Sequence, residues 1–213
     1  MKIHELQLTR DVKKLNPDDM ENILQKYGWK LLGSGNDAAV AQHPNKRYVL
    51  KLFLSDSNYT KFVEIAKDNI GNPHFPKFSR YIKPIPHNAQ FSYVRMEKLK
   101  PVTSKILEKL FVPEMVELRI IGLKHNINVG VMPDFIAHHY LINNDFKFED
   151  LHHIDRILEI RKTFDHPVDD TWIVACNAIA EAGKGLNHTR LDLHSGNFMQ
   201  RGKKTLVILD PFA

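Results

Sequence analysis

A single cysteine among 213 residues leaves no partner for an internal disulfide and points to a reducing compartment, so a cytoplasmic location is expected. Cys176 lies in the apolar stretch WIVACNAIA and reads as a small core side chain. No apolar run approaches the ~20 residues of a membrane-crossing helix. The N-terminus, MKIHELQLTRDVKKL, is too charged for a signal peptide. Block-like basic tracts, interleaved aromatic stripes and zinc-finger spacings are missing, which argues against a nucleic-acid partner although the net charge is +5 and the pI about 9.2. Twelve histidines include the pairs His138-His139 and His152-His153. Adjacent side chains point in different directions and no HExxH or cysteine cluster accompanies them, which argues against zinc. Internal repeats and low-complexity tracts are also absent.

What is present is an ordinary globular composition, long enough for one large domain or two lobes of about 100 residues each. Residues 10 to 27 carry a helical pattern of Met20, Ile23, Leu24 and Tyr27 behind an Asn16-Pro17-Asp18 start, and Gly28 ends it. From Trp29 to Phe53 the period becomes that of strands, broken by a His43-Pro44-Asn45 turn. A helix fits 57 to 70, and FPKF and FSYVRMEKL read as two further strands. Beyond Pro101 the pattern turns helical. It predicts helices over 104 to 123, interrupted at Pro113, over 149 to 164 with Leu151, Ile154 and Leu158 in register, and over 169 to 183. A final hairpin of FMQ and TLVIL turns at Arg201-Gly202-Lys203-Lys204. The expected fold is α+β in two lobes, residues 1 to 99 as a small antiparallel sheet with one helix and residues 100 to 213 as a reduced, mostly helical lobe.

Three oxygen-bearing side chains cluster near the end of the sequence. Asp192 and Asn197 stand five apart, and Asp210 follows the apolar strand TLVIL. Singly each suits a turn or strand end; together they could hold a hard divalent cation, which prefers carboxylate and amide oxygen. Near the front, Gly33-Ser34-Gly35 lies between two strands, where glycine lets backbone N–H groups approach phosphates. Lys51 lies within the apolar strand YVLKLFL and needs a partner, a cleft or the wet face of an edge strand.

These motifs, D-L-H-S-G-N followed by an apolar strand and Asp-Pro, together with LGSGNDAAVAQHP and VLK, resemble the protein-kinase-like superfamily. In detail they look most like the early serine/threonine kinases of T7-like bacteriophages, over roughly Trp29 to Pro211. The resemblance implies ATP and Mg2+ as cofactors and transfer of a phosphoryl group to a hydroxyl. In it Asp192 takes the acceptor's proton, Asn197 and Asp210 bind magnesium, and Lys51 contacts the nucleotide phosphates and pairs with Glu64. Gly33, Ser34 and Gly35 cover the phosphates, Met96 lines the adenine pocket, and the backbone from Glu97 to Leu99 binds the base. His194 stands where lysine is common and would contact the transferred phosphate, with a charge that depends on pH. Arg190 departs from the family's histidine. The implied partners are nucleotide and host protein substrates in the host cytoplasm, with no membrane.

Other classes stay open. The D-L-H-x-x-N form also resembles small-molecule kinases such as aminoglycoside phosphotransferases, and a pseudokinase that binds and inhibits a host protein would fit Arg190. Asp210 lies three residues from the end of the sequence. Either the protein finishes there, without an activation segment and its regulation, or a further tail follows Ala213.

Overall fold

The computed structural model describes residues 24–25, 28–34, 38–85, 88–129, 153–165, 167–184, 186, 190–192 and 195–212. The chain divides into two compact units. The first comprises residues 1–67 and 77–98, the second residues 68–76 and 99–213. Most of the helix expected over 10 to 27 lies outside the described residues. Its end does not: the N–H of Gly28 donates to Gln25 O and that of Trp29 to Leu24 O, at 2.9 and 2.8 Å. This paired closure requires a left-handed residue, and Gly28 supplies it with φ of 75°.

The sheet of the first unit contains β1 (Lys30–Ser34), β2 (Ala38–Gln42), β3 (Tyr48–Leu54), β4 (Lys83–Ile85) and β5 (Asn88–Glu97). All pairings are antiparallel, in the order β1-β2-β3-β5-β4. Between β3 and β4 runs α1 (Asn58–Asp68). FPKF does not form the strand its pattern suggests. It contributes one bridge, Phe78 to Met96, and the edge strand is Lys83–Ile85, where Pro84 is tolerated because an edge leaves one side of the backbone unpaired.

Alternation gives this sheet two apolar faces. Leu50, Leu52, Phe91 and Tyr93 pack with Leu24 and Trp29 on one. On the other, Phe53 meets the ring of Tyr59 at 4.9 Å, and Tyr59, Phe62, Val63 and Ala66 form the buried side of α1.

In the second unit α2 (Ser104–Leu110) and α3 (Val112–Lys124) separate at Phe111, and Pro113 sits in the first turn of α3, where its missing N–H costs nothing. Helix α3 is buried nearly all round, with Met115, Val116, Leu118, Ile120 and Ile121 at 3% exposure or less, so it is the central element. It packs against α4 (Ile154–Lys162) and α5 (Asp170–Gly183). The inward face of α4 is Ile157 and Ile160, not Ile154 and Leu158. That rotation brings Arg161, one step off the apolar repeat, to 2.9 Å from the buried carboxylate of Glu117. Asp169 caps α5 by accepting from Thr171 N at 2.7 Å. Cys176 is fully buried, and burial pushes its thiol well above the ordinary value, so it is a packing residue.

Three short strands, β6 (Lys100–Pro101), β9 (Phe198–Arg201) and β10 (Thr205–Ile208), form a sheet in the order β10-β9-β6. β7 (Asn128–Val129) and β8 (Arg190–Leu191) pair in parallel. Gly202 turns the β9–β10 hairpin with φ of 66°. No helix among the described residues is long and apolar enough to cross a membrane.

Trp172 of α5 is fully buried and its indole N–H donates to Glu114 O at 2.7 Å. Trp172→Ala is expected to destabilise by about 3–5 kcal/mol. Trp172→Phe keeps most of the ring and loses one hydrogen bond, about 1 kcal/mol. Urea midpoints check this; equal losses for the two variants would show that ring volume is not what the site needs.

Candidate functional site

In residues 190–192 and 195–212 backbone groups and one side-chain amide bring the segments that carry the acidic residues together. β8 leads into Asp192, whose N–H donates to Pro211 O at 2.9 Å, beside a bridge between Leu191 and Phe212. A single 3-10 turn, Ser195–Asn197, then enters β9. The amide nitrogen of Asn197 donates to Asp192 O at 3.3 Å, and Asn197 O accepts from Leu209 N at 2.9 Å. Asp192, Asn197 and the Leu209-Asp210-Pro211 strand end are thus closed into one hydrogen-bonded ring. With its nitrogen committed, the Asn197 side chain keeps its oxygen as the end able to bind a cation. Carboxylate and amide oxygens are the donor types that Mg2+ prefers, so Asp192, Asn197 and Asp210 are the residues of this frame that could hold it. Among the described residues no group of three or more His, Cys, Asp or Glu forms a metal site. His138, His139, His152 and His194 lie outside the described residues, as does Gly35.

The strand that carries Asp210 is anchored by a segment that its sequence pattern does not single out. Ile208 N donates to His74 O at 2.9 Å, and His74 Nδ1 lies 2.7 Å from Leu206 O. From β9, the Arg201 guanidinium donates to Phe75 O at 2.9 Å and also to Pro73 O. Asn72 shapes the segment from within: its side-chain oxygen accepts from His74 N and its nitrogen donates to Thr171 O. The only signal for this in the sequence is Asn-Pro, a turn starter.

In the first unit Lys51 sits on β3, the central strand, opposite Val40 on β2 and Val94 on β5. The edge-strand alternative is thereby removed. Its ammonium lies 4.6 Å from the centroid of the Tyr59 ring, a cation–π contact. Glu64 is placed differently from the expected pairing. It lies on the exposed side of α1, 3.4 Å from Lys61 one turn earlier, because Phe62, Val63, Ile65 and Ala66 take the inward positions. Tyr59 is the residue of this helix that stands beside Lys51.

Met96 is 4% exposed, with Tyr59 Oη 3.9 Å from its sulfur. Glu97 is held to Lys77 through its backbone N–H, at 2.9 Å, and its carboxylate, at 2.7 Å. Leu99 is half-buried and belongs to the second unit. Gly33 and Ser34 lie exposed at the end of β1, where the register with β2 shifts. A Cβ on Gly33 would meet nothing within 4 Å, so packing within the described residues does not call for glycine there.

No family model matches the chain, and no curated protein matches it. Among solved structures it aligns with the streptomycin-ATP-APH(2")-IIa ternary complex, at 18% identity over 92% of this chain and 70% of that one, with a TM-score of 0.31. A likeness at that score is too slight to argue from.

His74 is 5% exposed, packs edge-on against Trp172 at 5.0 Å, and has no hydrogen-bond partner for Nε2 among the described residues. Burial lowers its proton affinity below the ordinary value of 6.5; the Leu206 carbonyl and Asp169 oppose this, and Arg201 adds to it. Below that value the unfolded chain takes up a proton that the folded chain resists, so this site's stability is complete above pH ~6.5 and declines as pH falls toward the lower folded value. Thermal unfolding between pH 7.5 and 5.5 is expected to show a steeper loss of Tm for wild type than for His74→Gln. Equal slopes would remove His74 as the cause.

Proposed function

We propose that this protein is an ATP-dependent phosphotransferase of the protein-kinase-like kind, transferring the γ-phosphoryl group of ATP to a hydroxyl. The observation that carries the reading is the ring of backbone and amide bonds uniting Asp192, Asn197 and the Asp210 strand end. A loop aspartate tied to an asparagine and to the strand end of a second aspartate is the kind of frame in-line phosphoryl transfer asks of a protein, since positioning and charge neutralisation supply most of the rate.

In this reading Asp192 orients the acceptor hydroxyl and accepts its proton as the new O–P bond forms and the bond from Pγ to the β–γ bridging oxygen breaks, releasing ADP. Asn197 and Asp210 are the residues that would hold Mg2+, which when bound neutralises phosphate charge. Lys51 contacts the phosphates, its amine held in place by Tyr59, and the exposed backbone at Gly33 and Ser34 faces them. Met96 and the Glu97 to Leu99 backbone receive the base. His194 contacts the transferred phosphate.

For the acceptor, the spacing Asp192-Leu193-His194-x-x-Asn197 favours a small-molecule hydroxyl, as in aminoglycoside phosphotransferases. The front-end motifs favour serine or threonine of a host protein, as in the kinases of T7-like phages. The two differ in what becomes labelled.

Incubation with radiolabelled ATP and Mg2+ against a bacterial lysate and a panel of aminoglycosides and other small alcohols is expected to give labelled product. Asp192→Ala should lower its rate by roughly 10²–10⁴-fold. Asp210→Ala should abolish it; undiminished transfer by that variant would falsify the assignment. Nucleotide-dependent stabilisation with no transfer to any acceptor would make the chain a binding module.

A further inference from the structure

A second site of different character lies on the first unit's sheet. Ser79, Arg80, Tyr81, Lys83, Tyr93 and Arg95 enclose a cavity of about 180 Å³. Three cations line it, and none is paired with a carboxylate among the described residues. Their positions are fixed by the fold. Lys83 faces Tyr93 across the β4–β5 pairing, and Arg95 is two residues along β5 on the same face of the sheet. The Arg95 guanidinium is held 4.9 Å from the centroid of the Tyr48 ring, and that of Arg80 5.1 Å from the Tyr81 ring.

Ser79 fastens the remaining wall to β5. Its N–H donates to Arg95 O at 2.8 Å, its hydroxyl accepts from Arg95 N at 3.3 Å, and the same hydroxyl donates to Tyr81 O at 3.4 Å. Residues 79 to 81 are therefore set against Arg95, which leaves the cavity walls ordered before any ligand arrives.

Protection of a sheet edge explains Lys83 and Pro84 on β4. It does not explain Arg95, which is one strand further in, nor Arg80, which is outside the sheet. Lys51 and its cation–π partner Tyr59 belong to the opposite face, since Lys51 pairs with Val94 whereas Leu50 pairs with Arg95. The cavity is thus separate from the proposed phosphate contact of Lys51.

We propose that this cavity binds the phosphate group of a phosphate monoester. Each of the two guanidinium groups among the lining side chains can donate a pair of N–H bonds to phosphate oxygens, and the added ammonium suits a dianion better than a singly charged carboxylate. The volume accommodates a phosphate with a small organic group. Tyr81, 58% exposed, gives the mouth an aromatic wall.

The test is titration of the isotope-labelled full chain with inorganic phosphate, glycerol 2-phosphate and O-phosphotyrosine, with acetate as the carboxylate control, followed by backbone amide shifts. Expected are millimolar, saturable shifts at residues 79–83 and 93–95 for the phosphates and none for acetate. Arg80→Gln and Lys83→Gln, both at exposed positions, should each weaken binding about tenfold through loss of a charge-assisted contact. Lys51→Ala should leave these shifts unchanged. The ranking of the two esters identifies the source: tighter O-phosphotyrosine points to an aryl phosphate, tighter glycerol phosphate to an alkyl one. Absence of shifts at tens of millimolar, equal shifts with acetate, insensitivity to both cavity variants, or loss in Lys51→Ala would each overturn the proposal.

Discussion

The constraint on which the end of the second unit depends is the double engagement of Asn197. Its side chain binds the carbonyl of Asp192 while its own carbonyl receives Leu209, so one residue fixes the loop before it and the strand after it. Turns that carry carboxylates repel one another and gain from being solvated apart. Here neutral backbone and amide bonds hold the segments that carry the acidic residues in register. The proposed phosphotransferase reading follows from that economy more than from the number of acidic groups.

A second layer supports the first. β10 delivers Asp210, and β10 is itself laced to residues 73 to 75 through His74 and, by way of β9, through Arg201. Hydrogen bonds from a charged donor to carbonyls are worth more than neutral ones, and removal of either side strands the other in a buried setting. The geometry of the aspartate-bearing strand end is in this sense decided more than a hundred residues upstream.

Much of the architecture could be read from the chain because it rests on periodicity. The strand of AAVAQ alternates, YVLKLFL has the β-branched and aromatic composition of a strand, Gly28 and Gly202 mark left-handed turns, and Pro113 falls where one helix ends and another begins. Less could be read where a contact carries no period. The two-residue strands β7 and β8 are too short to show one. FPKF has strand composition but only one bridge, and the edge strand lies at Lys83–Ile85 because pairing with β5, not local preference, selects it. For the candidate site, spacing singles out Asp192, Asn197 and Asp210, while all but one of the bonds that tie their segments together, the Asn197 amide bond to Asp192 O, are between backbone groups and invisible in side-chain identity. Glu64 illustrates the converse: periodicity locates the helix, but the rotation of its apolar face sets Tyr59 beside Lys51 and leaves the glutamate on the exposed side.

Residues 68 to 76 belong with residues 99 to 213 although twenty-two residues of the other unit stand between them in the chain. The second unit is therefore discontinuous in sequence. A cut at Lys98, the obvious place to divide the protein, would take His74 and the carbonyls of Pro73 and Phe75 away from Arg201, Leu206 and Ile208. A C-terminal half made alone would begin life missing part of its own core, and reassembly from two fragments would have to restore that nonapeptide by complementation in trans.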